Sequence, residues 1–489
     1  MRTGFRVLTV LLCSAMLLAA CTPRVGVDKE SSRQDGNIQL TSIDHKTLLD
    51  KMEGGWLGQM AGVAWGGPTE FSCQGIIMER EVNWKPGSIN DAYNQDDLYV
   101  ELPFMEAMKA QGVNASWTIF GEYFKNTNFM LWHANDVGRT NLQAGIVAPD
   151  SGHYRYNPHA DDIDWQIEAD FAGIITPGQP EAAIDIAWRA GHVMNYGDGV
   201  YGGVAVAAMH SASYFAEDVN EIVEAGRQAV PEGSEYRQVI EDVIAWHGQN
   251  PTDWKSTWRL LQEKWGHDDR CPDGKNAEFN IDAKLNGAYI FMGLLYGQGD
   301  FEESMRIAMH CGQDSDCNTS SVGGILGNWL GLSKIPDKFK SHLKNYRRFS
   351  YTDYHYVDVI ELSEQLARQI VLMRGGSVEG TGDNEVWNIS TSSRLTPPIL
   401  EQWPEVHDEP PELTITFSQS AGHKVTLTAD ASDPDGIFGY QWYFGDLSYA
   451  AGAQVSHTYR ADGTYEVIGY VADKNGNTTW KSLQVDIVK

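Results

Sequence analysis

The chain has 489 residues with 66 acidic and 37 basic side chains, a net charge of −29 at neutral pH, and 42% hydrophobic residues, enough for two or three folded units. That negative balance excludes nucleic acid and anionic membrane surfaces as partners and suits carboxylate-rich cation sites. Six cysteines, scattered and with no Cys/His cluster at zinc spacing, argue against both a disulfide framework and soft-metal chemistry.

At the N-terminus, Arg2 and Arg6 precede an apolar stretch from Val7 to Ala20 that ends in Leu18-Ala19-Ala20-Cys21. A short basic region, an apolar run too short to span a bilayer comfortably and small residues before a break describe a secretory signal over 1–20. A cysteine directly after the small residues resembles the bacterial lipoprotein box, which implies cleavage before Cys21 and lipidation of its thiol. Residues 21–43 are polar and aperiodic and read as a tether. No other run of about 18 apolar residues follows, so the expected attachment to a membrane is the lipid anchor alone. The expectation is an exported lipoprotein, facing the periplasm or displayed on the cell surface.

From Thr47 the pattern is helical. Leu49, Met52, Trp56 and Met60 follow helical spacing, while Gly55, Gly58 and Gly62 make a second, small face that lets another backbone approach. Leu285, Ala288, Met292 and Leu295 form a further stripe. Phe301, Met305 and Ala308 form another, opened by Asp300 as N-cap with Glu303 three residues on. Val322, Ile325, Leu326, Trp329 and Leu330 mark a helix stopped by Gly331 and Pro336, and Val359 to Met373 a last one stopped at Gly375-Gly376. Strand-like alternation is scarce, so residues 44–376 are predicted to be one all-α domain, and a chain ending between 376 and 383 is expected to fold. His133, His153 and His159 follow no pattern, and Trp132-His133 reads as packing.

Residues 377–408 mix Gly, Ser, Thr and Pro and read as a connector with a strand or two. From Glu409, short alternating segments (413–417, 425–429, 440–444, 465–471 and 483–487) are divided by turn clusters, which predicts a small all-β sandwich over 409–489. Asp433-Pro434-Asp435-Gly436, Tyr440-Gln441-Trp442-Tyr443-Phe444-Gly445-Asp446, His457-Thr458-Tyr459 and Gly463-Thr464-Tyr465 resemble a PKD domain of the immunoglobulin-like class. Leu447 stands where that pattern has glycine. Trp442 is expected in the sandwich core rather than on a ligand surface.

Three motifs of the helical domain carry chemistry: Gly54-Gly55-Trp56-Leu57-Gly58-Gln59-Met60-Ala61-Gly62 running on to Glu70, Asn94-Gln95-Asp96-Asp97 before an apolar helix, and Gly312-Gln313-Asp314-Ser315-Asp316 before a glycine-studded one. Each aspartate pair taken singly is also explained by helix capping. Gathered together, four carboxylates would need a hard divalent cation to offset their repulsion.

In this order the motifs, with Ile335-Pro336 beyond them, resemble the ADP-ribosylglycohydrolase family over roughly residues 44–375. The resemblance implies an all-α fold in which Asp96, Asp97, Asp314 and Asp316 ligate one or two cations, usually Mg²⁺, with Mn²⁺ or Ca²⁺ as alternatives. It places Glu70 beside them as acid/base or gating carboxylate, with Asp97 also catalytic. The implied reaction is hydrolysis at the anomeric carbon of a ribofuranoside.

Three positions depart from the family pattern: Gln95, Leu98 and Cys317 stand where it has threonine, and a thiol is a poor Mg²⁺ ligand. Gly191-His192, Tyr196 to Gly199 and Tyr201 to Gly203 fall where the family lines its cleft, although helix packing explains these glycines equally. Of Glu168 and Asp170, either is placed to face the cleft. His192, Tyr201, Gly202 and Asp170 are the candidates for substrate contact. The expected function is a metal-dependent hydrolase cleaving a ribosyl, ADP-ribosyl or related furanosyl bond outside the cytoplasm, its partner a sugar, an ADP-ribose-containing molecule or a glycan. The alternative is a non-catalytic glycan-binding lipoprotein that kept the fold.

Overall fold

Glycine at every fourth position of the first helix determines how the helical part is assembled. A computed structural model describes residues 39–267, 270–272, 277–391, 395–403, 409–420 and 422–488; the signal segment 1–20, Cys21 and the tether up to residue 38 lie outside the described residues. The opening helix, His45–Gly66, is capped by Asp44, which accepts a hydrogen bond from the Thr47 amide at 3.0 Å. Its Gly54, Gly58, Gly62 and Gly66 lie against the antiparallel helix Ser315–Leu330. A methyl group on Gly54 would fall 2.2 Å from the Gly327 carbonyl oxygen, and one on Gly58 2.0 Å from that of Gly323. One on Gly62 would fall 2.2 Å from the Thr319 oxygen, and one on Gly66 2.3 Å from the Asp316 Cα. Each glycine costs about 1 kcal/mol of helix propensity relative to alanine, a loss accepted here because only bare backbone fits. Gly55, expected on this face, turns instead toward Ile174 and Asn328.

Around this pair the helix Ala283–Gly297 is buried at every position, and Asp198–Ser213 at nearly every one. The apolar stripe read over 285–295 is thus one side of a helix wrapped all round. Asp300 caps the next helix through the Glu303 amide at 2.8 Å, and Gly331 and Gly375, both at φ +85°, end theirs. Among the described residues no helix is long and apolar enough to cross a membrane.

Strands frame the bundle: one where the sequence suggested tether, and two in the connector where a strand or two was expected. β1 (Gln39–Asp44), β2 (Ser377–Glu379) and β3 (Val386–Thr391) form an antiparallel sheet in the order β1-β3-β2, with Gln39 opposite Thr391. Trp387 of β3 is fully buried and stacks on His45 of the opening helix.

Among the described residues the C-terminal part has seven strands: β4 (Glu412–Gln419), β5 (Lys424–Ser432), β6 (Ile437–Tyr443), β7 (Tyr449–Ala451), β8 (Gln454–Thr458), β9 (Gly463–Asp473) and β10 (Thr478–Ile487). They make a four-stranded sheet, β10-β9-β6-β7, and a three-stranded one, β4-β5-β8. Trp442 is fully buried in their shared core, as expected. Leu447 takes the left-handed backbone (φ +63°) that glycine would adopt without strain, and its side chain is buried in the core that reaches into the helical part.

Tyr443, Leu447, Tyr449, Ile468 and Tyr470 on one face of the larger sheet join the same apolar core as the helices. Trp188 stacks on Tyr443 at 4.0 Å and Trp117 meets Trp480 edge-on at 4.8 Å. Glu401, fully buried, accepts from His192 Nε2 at 2.8 Å, the Tyr470 hydroxyl at 2.6 Å and the Gly197 amide at 2.9 Å. The expectation that the helical part stands alone after residue 376 is therefore corrected. A cut there strips the cover from Trp117, Trp188 and His192 and removes the β3 partner of β1.

Candidate active site

The antiparallel glycine ladder carries the start of Ser315–Leu330 to the end of the opening helix, so Asp314 and Asp316 arrive beside Glu70. The turn Gly67–Thr69 links the opening helix to Glu70, and the Thr69 and Ser315 hydroxyls bond across at 2.8 Å. Gln313, left-handed at φ +54°, accepts from the Phe71 amide and donates to the Cys73 carbonyl, both at 2.9 Å. Two chain segments that carry acids are thereby pinned side by side.

Asp96 and Asp97 open the short helix Asp96–Tyr99. The Cys317 thiol donates to Asp97 Oδ2 at 3.6 Å, which ties the two aspartate pairs together. Ligand atoms of Asp314, Asp316 and Cys317 all lie within 4.8 Å of one another. Asp164 and Glu168 complete the wall, held by the Asn135 amide (3.0 Å to Asp164 Oδ1) and the Asn135 side chain (to Glu168). Behind Asp97, Glu101 accepts from the Phe171 amide at 2.8 Å, and Asp170 is bonded to His210 Nε2 at 2.8 Å.

So many acids in one place raise one another's pKa. Burial, then Asp316, pushes Asp96 up to about 6; burial, then Asp316 and Asp96, pushes Glu70 up to about 7, although its side chain stands at the exposed rim. Asp164 rises to about 7, chiefly through burial and in part through Asp96. Asp97, Asp314 and Glu168 go well above the carboxylate range, burial first and neighbouring carboxylates second. Burial, then Asp314, Asp316, Asp97 and Asp96, raises the Cys317 thiol, so it stays protonated and faces all four aspartates.

Two carboxylates about 4 Å apart repel by roughly 4 kcal/mol at an effective dielectric of 20. Asp97, Asp314 and Asp316 each keep a buried Oδ1 without a hydrogen-bond partner. Hard oxygen donors with unpaired buried lone pairs fit Mg²⁺, Mn²⁺ or Ca²⁺; the Cys317 sulfur is the one donor that does not.

The sequence model of the ADP-ribosylglycohydrolase family matches residues 44–375, the whole span that supplies these carboxylates. The chain belongs to the ADP-ribosylglycohydrolase family. A PKD domain model matches residues 408–487. Among solved structures, an ADP-ribosylglycohydrolase-related protein complex is similar at 16% identity, covering 66% of this chain and 99% of that one, with a TM-score of 0.43. The PKD1 domains of Vibrio cholerae metalloprotease PrtV and Vibrio anguillarum Epp are similar at 24% and 23% identity. Each covers 17% of this chain, and they are themselves covered over 100% and 96%, both with TM-scores of 0.16. No curated protein matches the chain.

Family membership supports a hydrolase of glycohydrolase type, and the family is typically metal-dependent and acts on ADP-ribose-containing substrates. Within this ADP-ribosylglycohydrolase domain, Glu70, Asp96, Asp97, Asp314 and Asp316 come together. Of the other candidates, only Asp170 is close enough to act on the cluster, through Asp97. His192 and Tyr201 turn into the seam with the β-domain, His192 toward Glu401 and the Tyr201 hydroxyl to the Ile399 carbonyl at 2.8 Å. Gly202 is glycine because a Cβ would meet Gln166 at 2.7 Å. Asp170 sits behind Asp97, engaged with His210. Each of these four has a packing or hydrogen-bonding partner of its own in the structure. Glu168, which the sequence offers with Asp170 as a cleft residue, lies in the wall; Asp164 is missed by the sequence reading, although its i,i+4 spacing to Glu168 puts both on one side of a helical turn.

Proposed function

We propose that the protein is a divalent-cation-dependent glycohydrolase that cleaves a ribosyl, ADP-ribosyl or related furanosyl bond in a substrate met outside the cytoplasm. The observation that carries this reading is the convergence of Asp96, Asp97, Asp314 and Asp316, with Glu70 at their rim, on one cluster in which Asp97, Asp314 and Asp316 each keep an unpartnered buried oxygen. Asp96, Asp97, Asp314 and Asp316 would hold the cation, a hard divalent ion such as Mg²⁺, Mn²⁺ or Ca²⁺ by the chemistry of the donors. A bound cation supplies charge neutralisation and polarises a substrate or water oxygen. An anionic substrate such as ADP-ribose would otherwise be repelled by this wall, so cation and substrate requirements go together.

Glu70 stands at the rim, its carboxyl pushed up to about 7 in the cation-free cluster by burial and by Asp316 and Asp96, and from there it is placed to exchange a proton as a general acid/base. Asp97 is held in place by Cys317 and stands as the second catalytic carboxylate. Asp164 and Glu168, fixed by Asn135, keep the opposite wall acidic. The signal-like segment with Cys21 supports export and lipid anchoring, facing the periplasm or the exterior.

The test is release of sugar from ADP-ribosylated peptide, ADP-ribose and furanoside glycans with Mg²⁺, Mn²⁺ or Ca²⁺ against EDTA. Activity with one substrate class, abolished by EDTA and by Asp316→Asn, is expected. No product from any of them, in a folded protein stabilised by Mg²⁺, overturns the reading in favour of a binding protein.

A further inference from the structure

A second cluster of ligating side chains, sharing no residue with the aspartate pairs, lies beside them. His133 begins the helix His133–Gln143, His159 and Asp162 sit in the loop before Asp164, and Cys271 follows the helix Trp254–Trp265. Asp162 Oδ2 lies 2.9 Å from His159 Nδ1 and 3.6 Å from His133 Nδ1, and Cys271 Sγ lies 3.4 Å from His159 Nδ1. One ligand atom from each of the four residues falls within 4.8 Å of every other, and Asp162 and Cys271 are buried.

We propose that His133, His159, Asp162 and Cys271 form a four-coordinate site for zinc or a similar borderline transition ion. Tetrahedral zinc with ordinary Zn–N, Zn–O and Zn–S lengths sets its ligands about 3.3–3.6 Å apart; the 3.4 and 3.6 Å separations fall in that range, and the 2.9 Å contact of Asp162 with His159 would open slightly on binding. Thiolate and two imidazoles with one carboxylate are a borderline-soft set, whereas the neighbouring aspartates offer oxygen only, so the two places sort cations by chemistry. On binding, the Cys271 thiol gives up its proton to solvent and the imidazoles bind as neutral bases. His133 holds a left-handed backbone, φ +40°, which costs energy unless the surroundings require that ring direction.

Four protein ligands leave no open position, so the role is structural. Asp162 pairs with Asp282, and the Ile163 amide bonds to the Ile281 carbonyl at 3.0 Å. Ile163, Ile167, Ile281 and Cys271 pack in one small apolar cluster with Cys317 of the aspartate site. A metal here would fix three loops that wall the acidic cleft, including the one that carries Asp164 and Glu168.

The experiment uses the full chain without an affinity tag. Zinc content is measured after dialysis, then the chelator-stripped protein is titrated with Co²⁺. About one tightly held zinc per chain is expected, with a near-ultraviolet thiolate-to-cobalt band that Mg²⁺ in excess does not suppress. Cys271→Ser should abolish that band in a protein of unchanged helical circular dichroism. His159→Ala should weaken zinc by more than the roughly 10–100-fold that losing an outer-shell partner costs. Asp316→Asn should leave both readouts intact. Absence of the band in folded wild-type protein, or its survival in Cys271→Ser, overturns the proposal and leaves the four residues as a hydrogen-bonded cluster. If the variants fail to fold, the wild-type cobalt titration alone decides.

Discussion

Replacing Gly62 by alanine tests whether the glycine ladder is what places Asp316. The added methyl would sit 2.2 Å from the Thr319 carbonyl oxygen and 2.5 Å from its carbon, against 3.4 Å for ordinary contact. Both obstacles are helix backbone, so the two helices must separate by about 1 Å at the point where Ser315–Leu330 begins. Overpacking of this kind costs about 1–3 kcal/mol, and the helix-propensity gain returns about 1, so a net loss of up to about 2 kcal/mol is expected. The larger effect is on the site: a displacement of about 1 Å near catalytic groups can cost on the order of 100-fold in rate. The matched control is Gly248→Ala, where a methyl meets nothing within 4 Å and should be neutral or stabilising. Thermal melts of both variants with and without Mg²⁺, together with turnover, separate the two. Wild-type stability, Mg²⁺ response and turnover in Gly62→Ala would refute the claim that backbone contact positions Asp316.

Three further outcomes are expected. Without divalent cations, the carboxyls of Asp96, Glu70 and Asp164 hold protons in the folded state that the unfolded chain releases, so their contribution to stability is complete below the ordinary 3.8–4.5. It is lost as pH rises to about 7. Melting curves from pH 4 to 8 in EDTA should show this decline, and saturating Mg²⁺ should flatten it by displacing those protons; identical profiles would argue against cation binding by these groups. Cys317→Thr replaces a poor ligand by a hydroxyl facing the same aspartates, and Mg²⁺ binding should tighten by on the order of 1 kcal/mol, read by calorimetry. A chain truncated after Gly376 should be insoluble or melt far lower than the full chain, because Trp188, Trp117 and β1 lose their partners; a well-folded, fully active truncation would contradict the shared core.

What could be read from the sequence was chemistry written in consecutive residues. Asp96-Asp97 and Asp314-x-Asp316 are local, and the glycines of the opening helix announce a close helix pair by period alone, even though Gly55 was put on the wrong side of it. The stops at Gly331 and Gly375, the cap at Asp300 and the buried Trp442 follow from rules that need only a few neighbours. What escaped was everything joined across the chain. β1 looks like tether because its polar residues reveal nothing of β3, its partner about 350 residues later. Glu401, in a stretch of mixed small and polar residues, gives no sign that it will be fully buried against His192, and His192 in turn looks like a cleft residue until Glu401 covers it. Asp164 lies in a helix of four residues, where its i,i+4 spacing to Glu168 is the one periodic sign. The cluster of His133, His159, Asp162 and Cys271 is the same case in sharper form. Zinc spacing rules assume ligands in pairs on one turn, and here the three segments meet only because the loop 157–163, bonded to the Ile281 strand-like backbone, lays its acid between them. Spacing can exclude a local metal motif, but it has no power over a site that tertiary packing assembles.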